Sequence, residues 1–238
     1  MKLTTTDQEK LMLKEQIKHG TNKILIWDFP VRLFHWSLVL MFCISWITAE
    51  IGGNAMQYHM WSGYVVVGLV LFRILWGIAG SESARFSHFI HGPASVLSYT
   101  RSLFKPGYKT ETGHTPLGGW SVISLLLVLA TQAISGLFSN DDIANEGPLY
   151  HLVRKATSNF LSVVHQYFFN VLLGLVVLHL AAIVFYRMKH RDNLVKPMIT
   201  GYKVVDANVT EPKQSNLLLA IVLALFSAGT VYWIVTKF

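Results

Sequence analysis

Four histidines stand within, or at the ends of, apolar segments of this chain: His35, His59, His165 and His179. An imidazole in hydrocarbon serves interhelical hydrogen bonding, proton or ion relay, or metal ligation. Spacing narrows the choice. His165 and His179 share one long apolar stretch, fourteen residues apart. On an α-helix that separation is about 21 Å along the axis, with the two side chains pointing within about 40° of one direction. A single helix can thus offer one imidazole under each face of a membrane.

Hydrocarbon solvates no backbone polar groups, and a helical span needs about 20 apolar residues. Five runs qualify: Val31 to Ala49, Gln57 to Gly80, Gly118 to Phe138, Asn159 to Arg187 and Asn216 to Val235. The chain has 238 residues, 52% hydrophobic and 14% charged, with most charge outside these runs. That pattern specifies an all-α integral membrane bundle. Of the 20 lysines and arginines, all but Arg154, Lys155 and Lys237 fall in three segments on one side: residues 1–32, 73–116 and 187–213. The positive-inside rule makes that side cytoplasmic, with the amino terminus inside and the carboxy terminus outside. The net charge of +7 then belongs to loops facing an anionic leaflet, and because these cations alternate with spans they form no nucleic-acid surface. The first 23 residues are polar and lysine-rich with no signal-peptide pattern, so insertion is expected through the first span.

Alternating spans set the depth of each histidine. His35 lies about a turn inside the cytoplasmic end of the first span, and His179 about two turns before the cytoplasmic end of the fourth. His59 opens the second span at the outer face, and His165 lies in the outer part of the fourth. The pairs His35/His179 and His59/His165 therefore share levels, as two axial ligands of an iron porphyrin would. A bare zinc or copper ion asks for three or four ligands, and no cysteine or carboxylate stands at these depths to complete them. The single cysteine, Cys43, permits neither an intrachain disulfide nor a Cys-x-x-Cys-His attachment, so a haem would be bound non-covalently. A histidine proton or ion pathway remains the competing reading at this point.

Four segments carry a family resemblance: Trp27-Asp28-Phe29-Pro30-Val31-Arg32-Leu33-Phe34-His35-Trp36, His59-Met60-Trp61-Ser62-Gly63-Tyr64, Gly113-His114-Thr115-Pro116-Leu117-Gly118-Gly119-Trp120, and Gly136-Leu137-Phe138-Ser139-Asn140-Asp141-Asp142. Together they resemble the bacterial cytochrome b561 family, which includes the cytochrome b subunits of nickel–iron hydrogenases. The resemblance covers about Ile24 to Ile199. It implies a four-helix core holding two b haems, with ligands on the first and second helices and two on the fourth. His35, His59, His165 and His179 match those places. The implied organisation is a cytoplasmic segment (1–23), a di-haem core (24–199), and a linker with a fifth transmembrane helix (200–238). That fifth helix lies outside the family's core and is expected to pack or to meet a partner.

A flat macrocycle needs small residues beside it and cations for its propionates. Gly63, four residues after His59, shares that ligand's helix face, and Gly136 and Gly174 are further candidates. Arg32, one turn before His35, is the propionate candidate. Trp27, Trp36, Trp61 and Trp120 lie near span ends, as interface anchors do. In relatives, quinone binds near the cytoplasmic haem, which makes His114 and Thr115 head-group candidates. At the outer mouth, Asp141, Asp142 and Glu146 could steer a basic partner such as a c-type cytochrome.

The expected protein is a bacterial inner-membrane di-haem cytochrome carrying electrons between the quinone pool and a periplasmic redox partner. The resemblance leaves a superoxide:quinone oxidoreductase and an electron-transfer anchor of a hydrogenase-like complex as alternatives. Outside that class stands the histidine-based proton or ion transporter.

Overall fold

The computed structural model describes residues 20–105 and 111–238. Most of the 1–23 segment, His19 and Lys109 lie outside the described residues. Five helices are long and apolar enough to cross a membrane. Each matches one of the runs expected from the sequence to within a few residues.

The chain opens with strand β1 (Thr21–Leu25) and enters helix α1 (Phe29–Ile51). Asp28 stops the strand and starts the helix: its extended backbone (φ −62°, ψ 162°) lets the carboxylate accept from the Val31 amide at 2.7 Å, and Pro30 follows in the first turn. At the other end Gly52 and Gly53 adopt φ of 65° and 53°. This left-handed turn, accessible to glycine, reverses the chain into α2 (Met56–Ala79). Two short helices, α3 (Phe86–Phe89) and α4 (Pro93–Ser102), lead to α5 (Pro116–Leu137), whose first turn is capped by Thr115 accepting from the Gly118 amide at 2.9 Å. Helix α6 (Lys155–Lys189) has 35 residues. At 1.5 Å per residue it is about 52 Å long, so it outruns a hydrocarbon core of about 30 Å and carries its basic last turn beyond it. Helix α7 (Val195–Thr200) and strand β2 (Tyr202–Asp206) follow, and α8 (Leu217–Lys237) is the fifth span.

The sheet was not expected from the helical reading. Strands β1 and β2 pair antiparallel, Thr21 opposite Asp206 and Leu25 opposite Tyr202, so residues flanking the first and fifth spans are stitched together. Five-residue strands in a polar loop carry little periodic signal, and only the long-range pairing gives them backbone partners. The fifth span runs along α2, where a methyl at Gly68 would stand 3.6 Å from Val231. α1 packs along α2, α2 reaches α5, and α5 packs along α6. Large apolar side chains such as Leu127, Leu178 and Leu225 face outward, as helices bathed in lipid tails allow.

Two placements differ from the sequence expectation. Trp27 is buried in the cluster with Ile24, Ile26, Val31 and Trp76 rather than standing at an interface, because the sheet folds over it. Arg73, counted with the cytoplasmic cations although it falls within the Gln57 to Gly80 run, is buried in α2 with only 3% of its surface exposed.

Candidate haem site

The four histidines occupy α1 (His35), α2 (His59) and α6 (His165 and His179), and the fold sets the His59 ring beside that of His165. The His59 and His165 rings lie 6.0 Å apart between centroids, with planes at 89°. Both rings are oriented through Nδ1: His59 donates to the Ser45 carbonyl oxygen (2.9 Å) and His165 to the Gln132 carbonyl oxygen (2.8 Å). Those partners favour the Nδ1–H tautomer, which puts the lone pair on each Nε2, the outer-shell arrangement of metal-ligating histidine. The Gln132 side-chain amide lies 3.3 Å from the His165 Nε2. The Ser62 hydroxyl bonds the Ser45 hydroxyl (2.6 Å) and donates to the His59 carbonyl (2.9 Å), which ties α1 to α2 beside the ligand.

Around this pair opens a cavity of about 470 Å³, lined by Phe42, Trp46, His59, Gly63, Gly136 and His165 among others. The residues fit a haem. Metal–imidazole bonds run about 2 Å, so two rings on opposite sides of one metal have centroids about 6 Å apart. The two glycines serve the cavity differently. A Cβ on Gly63 would meet nothing within 4 Å, so it would project into open space, whereas one on Gly136 would fall 2.8 Å from His165 Cε1. Gly63 therefore leaves room, and Gly136 permits the His165 ring to approach α5. A Cβ on Gly174 also meets nothing within 4 Å, but Gly174 does not line this cavity.

The second pair sits toward the basic ends of the helices. His35 and His179 lie within electrostatic reach of each other across the bundle. The His35 Nδ1 is buried with no hydrogen-bond partner among the described residues, and its ring meets Trp36 edge-on at 5.1 Å. Between the levels lies an aliphatic layer: Val66 and Val70 of α2, Leu129 of α5 and Leu172 of α6, with Leu38, Met41 and Phe42 of α1 packed on it. Leu172 is seven residues from His165 and seven from His179. It therefore shares their helix face and divides the bundle into two polar levels.

The remaining sequence candidates are distributed as follows. Arg32 donates through Nη1 to the Ile199 carbonyl at 2.7 Å, while its Nε is buried without a partner. Thr115 spends its hydroxyl oxygen as the α5 cap. His114 is wedged between Trp27 (4.5 Å) and Phe89 (4.2 Å), and burial, helped by the charge of Arg73, pushes its pKa down to about 3. No hydrogen bond from the described residues engages its ring. In the loop after α5, Asp141 accepts from the Asn145 side-chain amide at 2.6 Å and from the main-chain amides of Asn145, Ile143 and Ala144, which holds its carboxyl well below the usual range, and Asp142 pairs with Lys155 at 2.9 Å. The acidic residues thus build the loop first. Sequence reasoning did not single out Ser45, Ser62 or Gln132, because small polar residues in a span have no distinguishing pattern until the helices are docked.

Residues 26–201 match the family model of prokaryotic cytochrome b561. Comparison with curated proteins and with solved structures gave no match. With well over half of its length in that match and five membrane-spanning helices, the chain belongs to the prokaryotic cytochrome b561 family, membrane b-type cytochromes of electron transfer.

Proposed function

We infer that this cytochrome holds two b haems and passes electrons between the membrane quinone pool and a redox partner at the periplasmic face. The observation that carries the reading is the His59/His165 pair: two Nδ1-anchored imidazoles at 6.0 Å beside a cavity of about 470 Å³. His35 and His179 are assigned the second haem on their shared level and mutual proximity. Bound haem b supplies one-electron iron chemistry. The chain supplies the rest: His59 and His165, oriented by the Ser45 and Gln132 carbonyls, would hold one haem, Gly63 would leave it room, and Leu172 with its layer would keep water from the path between levels.

The orientation assigned is amino terminus in the cytoplasm and carboxy terminus in the periplasm of a bacterial inner membrane, on the distribution of lysine and arginine. The His35/His179 level then faces the cytoplasm and exchanges electrons with quinone. His114 and Thr115 enter α5 at that level; the His114 ring and the Thr115 hydroxyl proton are the groups for a quinone head. The His59/His165 level serves the outer partner, a c-type cytochrome or a hydrogenase-like subunit.

A pyridine haemochrome assay on fully loaded purified protein should return two haems b per chain. One haem defeats the di-haem reading. None, with the four histidines intact, favours a proton or ion pathway.

A further inference from the structure

Arg73 is the most anomalous charge in the described structure. It lies inside α2 with 3% of its surface exposed, its guanidinium stacked 4.9 Å from the Phe86 ring centroid and 6.0 Å from that of Phe89. Its Nη1 is buried and has no hydrogen-bond partner among the described residues. No carboxylate among the described residues lies within ion-pair distance of it. Asp28 is within electrostatic reach, yet its two oxygens are already committed, Oδ1 to the Val31 amide at 2.7 Å and Oδ2 to the Trp76 indole at 3.0 Å. A charged group left short of a hydrogen bond in a membrane bundle is costly and is retained where it has a ligand to meet.

Depth says which ligand. Arg73 precedes Ala79, the last residue of α2, by six positions, and His35 follows Phe29, the first residue of α1, by six. At 1.5 Å per residue both are about 9 Å in from the same end of the bundle. An anion that reaches a nine-tenths buried guanidinium at that level must itself be part of a group lodged between the helices, which a lipid phosphate at the surface is not. Arg32 is a weaker claimant, because it already donates to Ile199.

We propose that Arg73 binds a propionate carboxylate of the haem held by His35 and His179, with the planar guanidinium supplying charge-assisted hydrogen bonds. This rests on the di-haem reading. A buried cation beside a haem favours its reduced, less positive state, so the residue also sets that haem's potential.

The test is a potentiometric titration of holoprotein carrying Arg73→Gln or Arg73→Lys, together with uptake of haem b against its dimethyl ester by wild-type apoprotein. Arg73→Gln should shift the reduction equilibrium of one b component at least tenfold toward the oxidised form, about 59 mV for one electron. The other component should stay unmoved, and Arg73→Lys should recover most of the loss. The ester should load the affected site at least tenfold less than haem b in wild type, and its penalty should shrink in Arg73→Gln, as coupled partners require. If Arg73→Gln fails to assemble, Arg73→Lys and the wild-type ester comparison decide. Two haems with unchanged potentials, or equal uptake of ester and haem b, overturn the proposal and leave the di-haem reading standing. A wild-type protein lacking the second haem removes both.

Discussion

The two histidine levels of this bundle use the same side chain in opposite states of preparation. At the His59/His165 level both Nδ1 atoms are bonded to main-chain carbonyls, the serines lock the neighbouring helices, and a cavity is open. At the His35/His179 level the His35 Nδ1 is buried and unbonded, and the buried guanidinium of Arg73 stands nearby in depth with a free donor. A site whose ligands are fixed by backbone acceptors is organised before the cofactor arrives. A site with orphaned donors gains its hydrogen bonds only when the cofactor does, so binding and local order are coupled there.

The largest expected effect separates the levels outright. His59→Ala and His165→Ala should each reduce the count from two haems to one and delete the same spectral component; His35→Ala and His179→Ala should delete the other. Matching spectra from His35→Ala and His165→Ala would show that the pairing by depth is wrong. In the His165→Ala protein, quinol should still reduce the remaining haem while transfer to a soluble outer partner collapses. Survival of that transfer at the wild-type rate would take the His59/His165 haem off the path.

A finer contrast lies within one level. Gly63→Leu should lower occupancy of the His59/His165 haem by about 10–100-fold, the range typical of outer-shell changes, without unfolding the apoprotein, because a Cβ there meets nothing within 4 Å. Gly136→Ala acts through the protein instead: its methyl must displace His165 from a contact at 2.8 Å. It should weaken the same haem and also lower the thermal stability of the apoprotein. Absorbance spectra and thermal melts of both variants check the pair, and equal apoprotein stability losses would mean the cavity is not open at Gly63.

The spans and the shared level of His59 and His165 were legible in the sequence, because each rests on the period of a single helix and on the length of a bilayer. What it did not carry depends on docking between distant segments. The β1/β2 pairing joins residues 21–25 to 202–206. Trp27 reads as an interface anchor until that sheet covers it. Arg73 counts among the cytoplasmic cations by charge although it falls within the Gln57 to Gly80 run, and its burial depends on two other segments, α3 with Phe86 and Phe89 and the turn at Asp28. Ser45 and Gln132 anchor the two Nδ1 atoms through their carbonyl oxygens, which every residue possesses, so for that contact no residue type could have marked them.

The smallest expected effect is confined to the basic end and concerns pH. His114 is held with its pKa near 3, lowered by burial first and by Arg73 second, against an ordinary value of 6.5. The folded protein therefore keeps this ring neutral while the unfolded chain protonates it once the pH drops below about 6.5. Its contribution to stability is complete above that value and shrinks as the pH falls toward 3, because protons then bind the unfolded state in preference. Thermal melts of the apoprotein from pH about 7 to about 5 should show a falling midpoint. His114→Phe keeps an aromatic ring between Trp27 and Phe89 and should flatten the slope. An identical slope in wild type and His114→Phe would mean that the ring is protonated in the folded state, and that Arg73 does not stand beside it as a charge.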